Sequence, residues 1–167
     1  MAKISSRGEI VETSGELPAV GTAAPDFSLY RADLSPLSLG DFRGSRLVLN
    51  IFPSIDTPTC AMSVRHFNRD AATMPNTRVL CVSADLPFAL SRFCGAEGIS
   101  NVDTASVYRS PQFGRDYGVY MAEGRLAGLL ARAVVVVDEG GRVMYQELVP
   151  EIAQEPDYGA VLSALDA

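Results

Sequence analysis

The stretch "IFPSIDTPTCAMSV", residues 51–64, decides how this chain is read. Apolar strand formers stop at Pro53. A hydroxyl-rich turn with a second proline, Pro58, follows, and then Cys60 stands where a helical pattern begins. Upstream, "FRGSRLVLNIF" has a turn at Gly44 and an almost unbroken apolar run at 47–52. Such a run suits a strand covered on both faces. Downstream, Val64, Phe67, Ala71 and Met74 recur at intervals of three and four, the apolar stripe of a helix over 60–74. The thiol therefore sits at a strand–loop–helix junction. The first amides of a helix have no partners within it and carry partial positive charge. A free cysteine has a pKa of ~8.5, and a helix N-terminus lowers it toward ~3.5–7.5, which favours the nucleophilic thiolate. Thr57 offers a hydroxyl one turn before Cys60, and Pro58 stiffens the approach. With the amides around Thr59 and Cys60, these groups form a cradle able to hydrogen-bond a peroxide and to stabilise charge on a departing oxygen.

Working outward, "RVLCVSA" (78–84) reads as a second buried strand. In "ADLPFALSRFCGAEG" (84–98), Asp85 is placed to cap a helix, Pro87 to sit in its first turn, and Gly95 or Gly98 to end it. "KISSRGEIVETSG" (3–15) carries an Arg7-Gly8 turn and reads as a hairpin. "LPAVGTAAPDFSL" (17–29) reads as a loop entering a short strand. "SPQFGRDYGVYM" (110–121) suggests a short helix broken at Gly118. "RAVVVVDEGGRVMYQEL" (132–148) is a hairpin with Gly140 and Gly141 in its turn, and "PDYGAVLSALDA" (156–167) is a closing helix starting near Asp157. The order after the first hairpin is β-α-β-α-(irregular)-β-β-α, which describes an α/β mixed sheet with helices on its faces.

At 167 residues, with 47% hydrophobic and 20% charged residues, the chain is expected to be one domain. Its 14 basic and 20 acidic residues leave a net charge of −6, which argues against nucleic acid and against anionic membranes as partners. No apolar run approaches the ~20 residues that span a bilayer. "MAKISSRGEI" lacks the apolar core of a secretory signal, so a reducing cytoplasmic compartment is expected. With no C-x-x-C pair, one histidine and no phosphate-binding glycine motif, neither a metal nor another cofactor is expected.

Each candidate has a plainer reading. Cys60 lies in a Pro/Thr turn rather than an apolar stripe, which disfavours a merely buried thiol. Cys94, four residues after Leu90, fits a core face as well as a functional role. Cys81, inside "VLCVSA", reads as inert core. On residues alone Thr57 reads equally as a helix cap and Arg132 as a snorkelling strand-end side chain. Asp56 reads as a turn former, and His66, between Arg65 and Arg69, as a solvated residue.

"PSIDTPTC" (53–60) fits the P-x-x-x-T-x-x-C motif of peroxiredoxins. "SVRHFN" (63–68), "LCVSADLPFALSRFCGAEGI" (80–99), "LLARAVVVVDE" (129–139) and "EPDY" (155–158) resemble the bacterial thiol peroxidase subgroup of that family, of the atypical two-cysteine type. The resemblance spans nearly the whole chain. It implies a thioredoxin-like fold, with a mixed central sheet flanked by helices and an N-terminal β-hairpin. It implies a peroxidatic cysteine at Cys60, with Pro53 and Thr57 completing the motif and Arg132 reaching the same pocket. It further implies a resolving cysteine at Cys94, thioredoxin as reductant, a homodimer, and reduction of hydrogen peroxide and organic hydroperoxides through a Cys60 sulfenic acid. The competing functional reading is a peroxide-sensing switch that uses the same disulfide. A disulfide needs Cα atoms roughly 4.4–6.8 Å apart. With Cys60 and Cys94 on different helices, local unwinding of a helix end is expected before it forms.

Overall fold

The strand–turn–helix reading of 51–64 is realised in the computed structural model, which describes residues 1–166. The central strand β5 (Arg46–Ile51) leads through the loop at 52–57 into α1 (Pro58–Ala71). The next parallel strand, β6 (Thr77–Ser83), is followed by α2 (Pro87–Glu97) and β7 (Asp103–Ser106). An antiparallel strand, β8 (Ala133–Val137), flanks β5 on its other side and turns back into β9 (Val143–Leu148). With the edge hairpin β3 (Ser28–Tyr30) and β4 (Pro36–Ser38), the mixed sheet has seven strands in the order β4-β3-β7-β6-β5-β8-β9. The remaining elements are the N-terminal hairpin β1 (Lys3–Ser6) and β2 (Glu9–Glu12), the short α3 (Pro111–Asp116) and the terminal α4 (Tyr158–Leu165).

Continuous apolar strands are buried because both faces of the sheet are covered. Val48, Val79, Cys81, Val134 and Val136 face α1, α2 and α4, which contribute Val64, Phe67, Leu90, Val161 and Leu165. Leu47, Leu49, Ile51, Leu80, Val82 and Val135 pack on the opposite side with Ile4, Val11, Phe27, Phe113 and Tyr117. All five residues of β8 are buried, and a valine so buried contributes about 1.5–3 kcal/mol relative to an exposed one.

The differences from the sequence reading lie at ends and edges. Helix α1 starts two residues early because Pro58, whose φ is pre-set and whose missing N–H has no helical partner to lose, takes the first position behind Thr57. Cys60 is thus the third helical residue. Helix α2 has Leu86 rather than Asp85 at its N-cap and ends at Gly98, whose φ of +67° suits glycine. Strands β4 and β7 have weak local patterns and exist through pairing. The short polar β7 is recruited by β6, from Leu80↔Asp103 to Ser83↔Ser106.

The N-terminal hairpin turns through Arg7 and Gly8, both at positive φ, as a two-residue loop requires. It is bonded to the segment after β9. Ser5 N donates to Pro150 O at 2.7 Å, and Ile152 N donates to Ser5 O at 2.9 Å. That junction holds one wall of the site described next.

Candidate active site

The C-terminal end of β5, the first turn of α1 and the residue just before β8 converge because β5 and β8 are neighbours in the sheet. Cys60 is fully buried in the first turn of α1. Arg132 immediately precedes β8 and is 2% exposed, so its side chain turns inward rather than snorkelling to water. Its Nη2 lies 3.4 Å from Cys60 Sγ. Its Nε and Nη2 donate to the Ile152 carbonyl at 2.9 and 2.8 Å. Among the described residues the Nη1 has no hydrogen-bond partner and no carboxylate forms an ion pair with the guanidinium. An unpaired buried charge is costly.

Pro53, Thr57 and Arg132 line one cavity of about 250 Å³, together with Arg7, Pro58, Thr59, Arg125, Leu126, Leu129, Glu151, Ile152 and Ala153. The Cys60 sulfur lies behind this lining, against the guanidinium. Thr57 occupies the N-cap position of α1, yet its hydroxyl caps no helical amide. It donates instead to the Ser54 carbonyl at 2.9 Å, which leaves its oxygen lone pairs free to accept. Three of the expected site residues therefore meet at one cavity beside the buried Cys60.

Cys94 is not among them. It is half-buried within α2 and lines a different hollow with Arg31, Leu37, Arg78 and Asp103. Burial raises its pKa above the usual thiol value. Both Cys60 and Cys94 are free thiols. Helix α2 is tied to α1 by the Arg65–Glu97 pair, with Nε–Oε1 at 3.0 Å, and the segment after α2 is tied to α1 by Asn101 N donating to Asn68 Oδ1 at 2.8 Å. Cys81 is buried in the sheet core, and desolvation pushes its pKa up to about 12, so it stays protonated.

Two features escaped the sequence reading. Asp85 does not cap α2. Its carboxylate accepts from Ser54 Oγ and Ile55 N, each at 2.7 Å, and from Ser83 Oγ. The available signal was its position just past the C-terminal end of a parallel strand, where α/β sheets gather their sites. His66 is only partly exposed. Its ring stacks on Tyr158 at 3.5 Å, and its Nε2 lies 3.0 Å from Asp70 Oδ2. No local pattern announces this, because Tyr158 arrives from the far end of the chain.

Strand order, flanking helices and N-terminal hairpin define a thioredoxin-like fold. Residues 19–162 match the Redoxin family model. The chain is 59% identical to a thiol peroxidase of Mycobacterium tuberculosis over 167 residues, covering 100% of both chains. It is 55% identical to a thiol peroxidase of Corynebacterium glutamicum over 166 residues, 99% of this chain and 100% of that one. It superposes with a TM-score of 0.93 on the crystal structure of a peroxiredoxin-like protein from Aquifex aeolicus, at 38% identity, over 99% of this chain and 96% of that one. The chain belongs to the Redoxin family, in the thiol peroxidase group of the peroxiredoxins.

Proposed function

We propose that this enzyme is a thiol-dependent peroxidase that reduces hydrogen peroxide and organic hydroperoxides at Cys60. The observation carrying this reading is the Cys60 sulfur in the first turn of α1, 3.4 Å from the Nη2 of a buried guanidinium without a carboxylate partner, next to a cavity shared by Thr57 and Pro53. The walls include Leu126, Leu129 and Ile152, apolar side chains suited to the organic part of a hydroperoxide. Because Cys60 is fully buried and does not line the cavity, this reading requires the lining to move before a peroxide reaches the sulfur.

In the reaction the Cys60 thiolate attacks one peroxide oxygen. An S–O bond forms, the O–O bond breaks, and the sulfur is oxidised to sulfenic acid. The departing oxygen leaves as hydroxide or alkoxide and takes up a proton. Thr57, whose own hydrogen is engaged by Ser54, accepts a hydrogen bond from the peroxide O–H. The free Nη1 of Arg132 and the helical amides stabilise charge developing on the oxygens.

Cys94 then resolves the sulfenic acid. Its sulfur displaces the hydroxyl as water and leaves a Cys60–Cys94 disulfide, which the dithiol of thioredoxin reduces by exchange. Because Cys94 stands in another hollow, this step requires the first turn of α1 or the body of α2 to open. The reading also takes the working protein to be a cytoplasmic homodimer.

Two variants test the scheme. Cys60→Ser is expected to abolish peroxide consumption. Cys94→Ser is expected to consume one equivalent, with the product mapped to residue 60 by mass spectrometry, and then to stall in the presence of thioredoxin and its reductase. Sustained thioredoxin-linked turnover by the Cys94 variant would remove that residue from the cycle.

A further inference from the structure

We propose that Asp85 is a positioning residue for the peroxide step, orienting Thr57 through Ser54. The inference rests on the peroxidase reading above and assigns a role at that site to a side chain outside the P-x-x-x-T-x-x-C motif.

The relay is continuous. One Asp85 oxygen accepts from Ser54 Oγ at 2.7 Å. The other accepts from Ile55 N at 2.7 Å and from Ser83 Oγ. The Ser54 carbonyl in turn accepts both from Thr57 N at 3.2 Å and from Thr57 Oγ1 at 2.9 Å. Ser54 Oγ also accepts from Asp56 N at 3.2 Å. The loop between β5 and α1 therefore hangs from one carboxylate. Asp85 is itself anchored at the end of β6, because its N–H donates to Ser83 Oγ at 3.3 Å and its carbonyl accepts from Ser106 Oγ of β7.

The geometry matters because Thr57 works as an acceptor only while its own hydrogen is engaged elsewhere. If Ser54 shifts, the Thr57 hydroxyl rotates and the peroxide O–H loses its fixed partner. Hydrogen bonds that accept at an ionised carboxylate are roughly twice as strong as neutral ones, so this anchor is stiff for an otherwise irregular loop. The position is local to the reaction without touching it. Asp85 does not line the cavity beside Cys60, and its carboxylate reaches Thr57 only through Ser54.

The test compares two reactions of the same sulfur in the reduced full-length protein. Oxidation by hydrogen peroxide needs the Thr57 cradle, whereas alkylation by iodoacetamide needs only the thiolate and access. For Asp85→Ala the second-order rate with peroxide is expected to fall about 10–100-fold, the scale of an ångström-sized misplacement of a reacting group. The alkylation rate and its pH profile are expected to stay within about threefold, since Arg132 and the helix N-terminus are retained. Asp85→Asn, whose amide oxygen still accepts from Ile55 N, is expected to recover part of the peroxide rate. If Asp85→Ala does not fold, Ser54→Ala carries the same comparison by deleting the Asp85 link together with the longer contact from Asp56 N, while Ile55 N stays bonded to the carboxylate, with a smaller fall of the same selectivity. Equal losses in both reactions would show general damage to the site and overturn the assignment, as would an unchanged peroxide rate in a folded variant. A wild-type protein that does not consume peroxide would instead overturn the peroxidase reading together with this one.

Discussion

Replacing Arg132 by methionine separates what the guanidinium does for the reaction from what it does for the fold. Arg132→Met keeps the length and apolar bulk of the side chain and deletes the group lying 3.4 Å from Cys60 Sγ. The stability change has two opposing parts. Removing a buried charge that among the described residues has no carboxylate partner relieves its desolvation penalty, which is favourable. The Ile152 carbonyl, however, loses two donors at 2.9 and 2.8 Å, and an orphaned buried acceptor costs about 1–3 kcal/mol. The two nearly cancel, so the melting temperature is expected to move by only a few degrees. The rate has no such cancellation. Loss of one preorganised donor to developing oxyanion charge is worth about 2.7–4 kcal/mol, or about 10²–10³-fold in rate. The assay follows peroxide loss at pH 7 under excess thiol protein, with the oxidised Cys60 peptide quantified by mass spectrometry. A folded variant within threefold of the wild-type rate would refute the reasoning. A variant that melts tens of degrees lower would show that the guanidinium chiefly serves the fold.

Other consequences follow from buried groups away from this cavity. Cys81→Ala is expected to leave peroxide turnover within about twofold and to lower stability by roughly 1 kcal/mol for the lost sulfur. Cys81 also makes a pH prediction. The folded thiol holds its proton to about 12, whereas the unfolded one releases it near 9.0. Above pH 9 the unfolded chain therefore binds fewer protons than the folded one, and stability falls with rising pH. This contribution is about 1.4 kcal/mol per pH unit until the folded pKa is reached. Urea melts from pH 9 to 11 are expected to show a shallower decline for Cys81→Ala than for wild type, and identical slopes would contradict the assignment. Gly118 has a φ of +70°, and a Cβ there would lie 2.2 Å from the Glu16 carbonyl oxygen. Gly118→Ala is thus expected to destabilise by at least ~2–4 kcal/mol in denaturant melts, so a neutral result would mean that this backbone contact relaxes easily.

Residue order alone determined much of this protein. The apolar run before Pro53 and the three-four stripe after Cys60 are local periodicities, and they specify strand, loop and helix with the thiol at the junction. The glycine-bearing turns of both hairpins, at Arg7-Gly8 and at Gly140-Gly141, are local chemistry as well. The motif residues Pro53, Thr57 and Cys60 lie within eight positions, so their proximity needed no fold. Tertiary structure decided the rest. Arg132 is 72 residues from Cys60, and only the pairing of β5 with β8 brings its guanidinium to the sulfur, turning a side chain that reads as a snorkelling arginine into a buried one. Asp85 reads as a helix cap because Asp often is one, but β6 beside β5 presents it to the Ser54–Ile55 amide and hydroxyl first. Strand β7, too polar to declare itself, forms because β6 offers an unpaired edge. Local pattern carries information about a residue's own few neighbours along the chain. Which distant groups become its partners is set by strand order, and strand order is decided by the burial of the whole sheet.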